Sequence, residues 1–146
     1  MINQNPYNKY KQTSVETATP EQLMFMLFNG GIKFLKQAEK HIDNKDFIEA
    51  NEKLKKAQRV IRELMGSLNV EKGGEFAENQ MRLYDFMHEE LVQANMNKDK
   101  EKIAQVSKML FDIKSSFQQA QEELNKSDDT SSQEDSKALN SVNQSL

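Results

Sequence analysis

An all-α fold, specifically an antiparallel up-and-down four-helix bundle, is what this sequence predicts, and three observations carry that expectation. Apolar residues step by three and four through four long stretches, the spacing that lines one face of an α-helix. The five glycines and two prolines are few, and most fall where those stretches begin or end. No run alternates apolar and polar residues as a half-buried strand would.

The first helix opens at Thr19-Pro20-Glu21-Gln22. Thr19 can cap the first turn, Pro20 stands where a missing N–H costs nothing, and Gln22 can return a hydrogen bond to the cap. The helix should run to about Asn44 with Leu23, Met24, Leu27, Phe28, Gly31, Phe34, Leu35, Ala38 and Ile42 facing the core. Asp46 followed by Glu49 repeats the start signal, and Phe47, Ala50, Leu54, Ala57, Ile61, Leu64 and Leu68 form an unbroken heptad seam. Asn69 to Gly74 reads as a loop, and Gly73-Gly74 marks a break before a third helix that turns Phe76, Leu83, Tyr84, Met87, Leu91 and Ala94 inwards and ends near Asn97. Asp99 then caps a fourth helix carrying Ile103, Val106, Leu110, Ile113, Phe117, Ala120 and Leu124. Connections this short make successive helices antiparallel neighbours.

The bundle accounts for residues 19–125. Residues 1–18 form a polar, flexible amino-terminal arm that nevertheless carries Tyr7, Tyr10 and Val15, enough anchor material to dock and cover a groove. Residues 126–146 turn to Ser, Asp, Asn and Gln, which bury too little apolar area to offset the entropy of ordering, and so predict a disordered tail.

Composition excludes several functions. Without cysteine there is no disulfide framework, thiolate metal site or cysteine nucleophile. The longest apolar run, Leu23 to Phe28, is far short of the roughly 20 residues that span a bilayer, and no secretion signal opens the chain, so the expected setting is cytoplasmic, with no membrane insertion. Net charge is −3, with lysine and arginine scattered among the acids, so nucleic acid is not an expected partner.

Catalytic or metal chemistry finds no converging residues. A di-iron bundle needs a Glu-x-x-His motif on each of two helices; Asp85-x-x-His88 occurs once, and Ala38 stands at the matching position before His41. Gly30-Gly31 lacks the spacing and the Lys-Ser/Thr ending of a phosphate loop, and reads instead as a site of close helix contact or a local bend. The adjacent pairs Glu89-Glu90 and Glu122-Glu123 point in different directions on a helix. No catalytic residue, no metal ligand and no cofactor is expected, and the chain is not read as an enzyme.

What stands out is apolar residues facing away from the core. At roughly 100° per residue, Phe25, Met26, Ile32, Ile48, Met81, Phe86, Val92, Met96 and Phe111 fall well off the core direction of their helices. Single exposed apolar side chains are ordinary on any surface. The unbroken run Leu23 to Phe28 is different, because that part of the first helix presents apolar surface on every side. Its cover is the arm, a second copy of the chain, or a partner's helix in a groove. The expected partner-binding residues are Tyr7, Tyr10, Leu23, Phe25, Met26, Ile32, Ile48, Met81, Phe86 and Met96.

Several segments together resemble one family: Asn5-Pro6-Tyr7, Tyr10, Ser14-Val15, Thr17-Ala18-Thr19-Pro20, Leu23, Met26-Leu27, Asn29-Gly30 and Lys33-Phe34, followed by Ala57-Gln58, Glu63-Leu64, Leu83-Tyr84-Asp85-Phe86-Met87 and the ELVQAN stretch ending at Asn95. They look like the flagellar secretion chaperone for flagellin, the FliS family, over roughly residues 4–124. The resemblance implies a four-helix bundle that binds the disordered carboxy-terminal segment of flagellin as helices, prevents premature polymerisation and delivers it to the flagellar type III export apparatus. It also implies an arm that covers part of the groove when flagellin is absent, with Tyr7 and Tyr10 as its anchors. Where many members carry a basic residue, an acid and a tryptophan late in the last helix, this chain has Lys114, Ser115, Ser116 and Phe117. A self-associating bundle, dimeric when free, or a regulatory adaptor for another flagellar protein would use the same surface.

Overall fold

The computed structural model describes residues 15–144, with side chains through Ser127. Residues 15–17 are helical, and four long helices follow: α1 (Pro20–Asp43), α2 (Phe47–Gly66), α3 (Val70–Asn97) and α4 (Lys100–Gln144). The described residues contain no strand, and the fold is all-α.

Each start is made by the residue type that local chemistry favours. Thr19 Oγ1 accepts from the Gln22 amide at 3.1 Å while the Thr19 amide donates to Gln22 Oε1 at 3.0 Å, a complete capping box with Pro20 beside it. Asp46 and Asn69 accept from the Glu49 and Lys72 amides, and Asp99 from the amides of Glu101 and Lys102. At the α1–α2 and α3–α4 turns, Lys45 (φ 58°) and Lys98 (φ 51°) adopt the left-handed conformation, which costs an ordinary side chain roughly 1–2 kcal/mol. At the second turn the Lys98 ammonium donates to the Asn95 carbonyl at 2.6 Å.

The helices form an antiparallel ring through Phe111, where one compact unit ends; residues 112–146 form a second. Asn95 Nδ2 donates to Asn51 Oδ1 at 2.7 Å, and Arg62 meets His88 further along, so α2 and α3 run in opposite senses. Lys102 bridges α4 to Gln93 and Glu90 of α3, and Lys100 pairs with Asp43 at the end of α1. The interior holds Phe28 and Leu35 from α1, Leu54, Ile61 and Leu64 from α2, Tyr84, Met87 and Leu91 from α3, and Ile103, Val106 and Leu110 from α4, all fully buried or nearly so. Gly31 lies under the Val60 and Leu110 side chains, the close helix contact that its sequence position suggested.

Five expected core residues are corrected. Leu23, Phe47, Phe76 and Leu124 are 39%, 48%, 60% and 61% exposed, and Ala120 is exposed as well; Leu23 and Phe47 stand in the first turns of their helices, where fewer neighbours reach them, and Phe76 stands just after the Gly74 kink of α3. Conversely Val60 and Ala77 are buried, since a core-facing stripe is wider than a two-position seam. α3 begins at Val70 rather than after Gly74, and Gly74 (φ 56°, ψ −136°) is a kink between two helical stretches, a backbone geometry that glycine adopts without strain. The backbone of α4 is helical to Gln144, through the segment whose composition predicts a disordered tail.

Candidate functional site

The helices leave open clefts along their seams, and the residues expected to bind a partner divide among them. In the α1–α2 cleft, Leu23, Met26, Leu27, Gly30 and Phe34 come from α1, Lys56, Arg59, Val60 and Glu63 from α2, and Val15 lies at its edge, around a space of about 440 Å³. Helical periodicity puts Leu23, Met26, Leu27, Gly30 and Phe34 on one stripe, next to the core stripe of Phe28, Gly31, Leu35 and Ala38. α1 therefore has two apolar faces, one spent on the core and one open. The Lys56 ammonium sits 5.7 Å from the centre of the Phe34 ring, close enough for a cation–π attraction that holds it over the cleft.

A second pair of clefts flanks α1 on another side. One is lined by Asn29, Ile32, Lys33, Lys36, Gln37 and Lys40; the other continues from Ile32, Lys36 and Glu39 to Ala104, Ser107, Lys108 and Phe111 of α4. Burial is the leading cause that holds the Glu39 carboxyl above its usual 4.5, while Lys100 pulls the other way. A third cleft, between α2 and α3, is lined by Asn51, Lys55, Gln58, Val92, Asn95, Met96 and Lys98.

Of the expected site residues, Leu23 and Met26 meet in the first cleft, Ile32 lies in the second pair and Met96 in the third. Phe25 and Met81 are half-buried, Ile48 is 78% exposed, Met96 77% and Phe86 46%. Tyr7 and Tyr10 lie outside the described residues. Leu27, Phe34 and Val60 line the open cleft although Leu27 and Phe34 fit the core pattern equally well. The signal that could have separated them was the continuous spacing from Leu23 through Gly30 to Phe34.

His41 lies 3.6 Å from Asp46, and His88 faces Arg62; among the described residues no cluster of three or more His, Asp or Glu is arranged to hold a metal. No helix of the described residues is long and apolar enough to cross a membrane.

Residues 3–124 match the family described as Flagellar protein FliS. The chain is 42% identical to the flagellar secretion chaperone FliS of Bacillus subtilis over 120 residues, covering 82% of this chain and 89% of that protein. It is 38% identical to FliS of Salmonella typhimurium, covering 75% of this chain and 85% of that protein, and 34% identical to FliSB of Pseudomonas aeruginosa, covering 75% and 90%. These proteins are secretion chaperones of the flagellum and not enzymes. This chain belongs to the FliS family of flagellar secretion chaperones.

Proposed function

We propose that this chain is a cytoplasmic chaperone for flagellin: it binds the disordered carboxy-terminal segment, prevents premature polymerisation and delivers it to the flagellar type III export apparatus. The observation that carries the reading is the second apolar face of α1, where Leu23, Met26, Leu27 and Phe34 line an open cleft against Val60 of α2. A partner helix with apolar residues at i, i+3, i+4 and i+7 fits such a groove. The chain also shares its family with proteins that carry the name of secretion chaperone.

The mechanism is coupled folding and binding. A disordered segment loses conformational entropy as it becomes helical and offsets that loss by burying its apolar face on a preformed surface. Each large apolar side chain moved out of water contributes about 1.5–3 kcal/mol. The net affinity is the small surplus over ordering and association costs, so a broad contact can still be released for export. No nucleotide or cofactor enters this scheme.

Val15 at the cleft edge, 43% exposed, supports the arm as the cover of the empty site, with Tyr7 and Tyr10 as its further anchors. Deleting residues 1–18 should then raise the binding of an apolar-surface dye and speed proteolysis. Met26→Glu tests the site itself: it should weaken binding of a flagellin carboxy-terminal peptide at least tenfold while helicity by circular dichroism stays unchanged. Unchanged binding would remove the cleft from the account, and a tight dimer by light scattering that ignores the peptide would favour self-association.

A further inference from the structure

We propose that a further face of α1, turned about a right angle from its flagellin cleft, together with the facing side of α4 up to Phe111, is a second docking surface, and that its occupant is an acidic amphipathic helix of another protein. The two joined clefts on this side are lined by the lysines Lys33, Lys36, Lys40 and Lys108 and by one carboxylate, Glu39. The chain as a whole carries a net charge of −3, so this strip is a local concentration of positive charge on a net-acidic chain. None of the four lysines forms a salt bridge among the described residues.

Charge alone would describe a solvated face. Here the cations rim an apolar floor: Ile32 belongs to both clefts, and Phe111, 55% exposed, closes the α4 side. An occupant that satisfies both features carries carboxylates on the flanks of an apolar stripe. Opposite charges around the contact raise the association rate and set the choice of partner, while Ile32 and Phe111 supply the apolar contact.

The surface is centred away from the flagellin cleft. At roughly 100° per residue, Ile32 and Lys36 lie well over a right angle round α1 from the centre of the stripe of Leu23, Met26, Leu27, Gly30 and Phe34, and Lys33 and Lys40 lie about a right angle from it. One helix thus presents an apolar groove on one face and a basic-rimmed groove on another. A chaperone carrying cargo in the first can be held by an acidic protein at the second.

The test uses the full chain, labelled with nitrogen-15, and two synthetic amphipathic helical peptides with the same leucine spacing, one with glutamates on its polar face and one with lysines. The glutamate peptide should shift the amide signals of Ile32, Lys36, Lys108 and Phe111, and should still do so when a flagellin carboxy-terminal peptide is already bound. The Lys36→Glu, Lys108→Glu double variant should weaken it at least tenfold. Lys33→Gln with Lys40→Gln, a milder change at exposed positions, should weaken it about threefold and serves if the first variant does not fold. Equal binding of the lysine peptide, shifts centred on Leu23 and Met26, or undiminished binding by both folded variants would overturn the proposal. So would a doubling of mass with concentration that blocks the face, which would make the occupant a second copy. Failure of the flagellin peptide to bind would count against the proposed function alone.

Discussion

Gly30 and Gly31 are neighbours in α1 with opposite surroundings, and adding a side chain at each separates the fold from the proposed site. A Cβ at Gly30 meets no atom within 4 Å, and the residue lines the α1–α2 cleft. Replacing a helical glycine by alanine there gains about 0.8–1 kcal/mol of helix propensity, or about 3–6 °C in Tm for a domain of this size. Gly30→Leu should keep most of that gain, because leucine is nearly as good a helix former. Its side chain would occupy the cleft and displace about one partner anchor, a loss of roughly 1.5–3 kcal/mol or about ten- to a hundredfold in Kd. At Gly31 the same Cβ stands 3.1 Å from Leu110 Cδ1 and 3.2 Å from Val60 Cγ1. Gly31→Leu forces both to move and should cost about 1–3 kcal/mol through overpacking, offset in part by propensity. Thermal unfolding followed by circular dichroism, with calorimetric titration of a flagellin carboxy-terminal peptide, reads both quantities. A Gly30→Leu protein as unstable as Gly31→Leu would mean the cleft is closed, and a stable one that binds normally would mean the partner lies elsewhere.

Three smaller changes test other parts of the structure. Thr19→Ala removes the capping box and should cost about 1 kcal/mol, seen as a lower urea midpoint with an unchanged m value; no shift would mean the α1 start is held by its contacts instead. The Glu39 carboxyl is held above 4.5 chiefly by burial, so its ionised form works against the fold at neutral pH and protonation relieves that penalty as pH falls through its raised pKa. Glu39→Gln should therefore be slightly more stable than the parent at pH 7 and lose that advantage by pH 4, and the opposite trend would show that the lysines around it dominate. Ending the chain after Lys126 should change stability by less than about 0.5 kcal/mol, because a helix of such polar composition is marginal in water by itself, and in the full chain the amides of 127–144 should exchange fast; a clear fall in Tm would show that the end of α4 stabilises the bundle.

The helix starts were legible because Thr19, Asp46 and Asp99 are residues whose side chains satisfy the exposed amides of a first turn, a local property. The centre of the core was legible too: Leu54, Ala57, Ile61 and Leu64 recur at the helical period and are all buried. Periodicity does not say where a neighbouring helix stops, which is why Phe47 and Phe76 keep the phase of the core and yet stand exposed. The candidate site was half legible for a related reason. The run Leu23 to Phe28 announced surplus apolar surface, but only the placement of α2 decides which of those side chains line the cleft, and Leu27 and Phe34 proved to sit on its wall. The α1–α4 face was less legible still, since Lys36 and Lys108 are far apart in sequence and converge only when the two helices pack.

The central claim is that the open face of α1 holds a disordered flagellin segment as a helix. Titration calorimetry of a flagellin carboxy-terminal peptide into the full chain, repeated with Met26→Glu, tests it most directly. The account predicts one-to-one binding with a negative heat-capacity change, the mark of apolar burial, a rise in helicity on mixing, and at least a tenfold loss in the variant. Binding of equal strength by parent and Met26→Glu, or binding without a gain in helix, would contradict it.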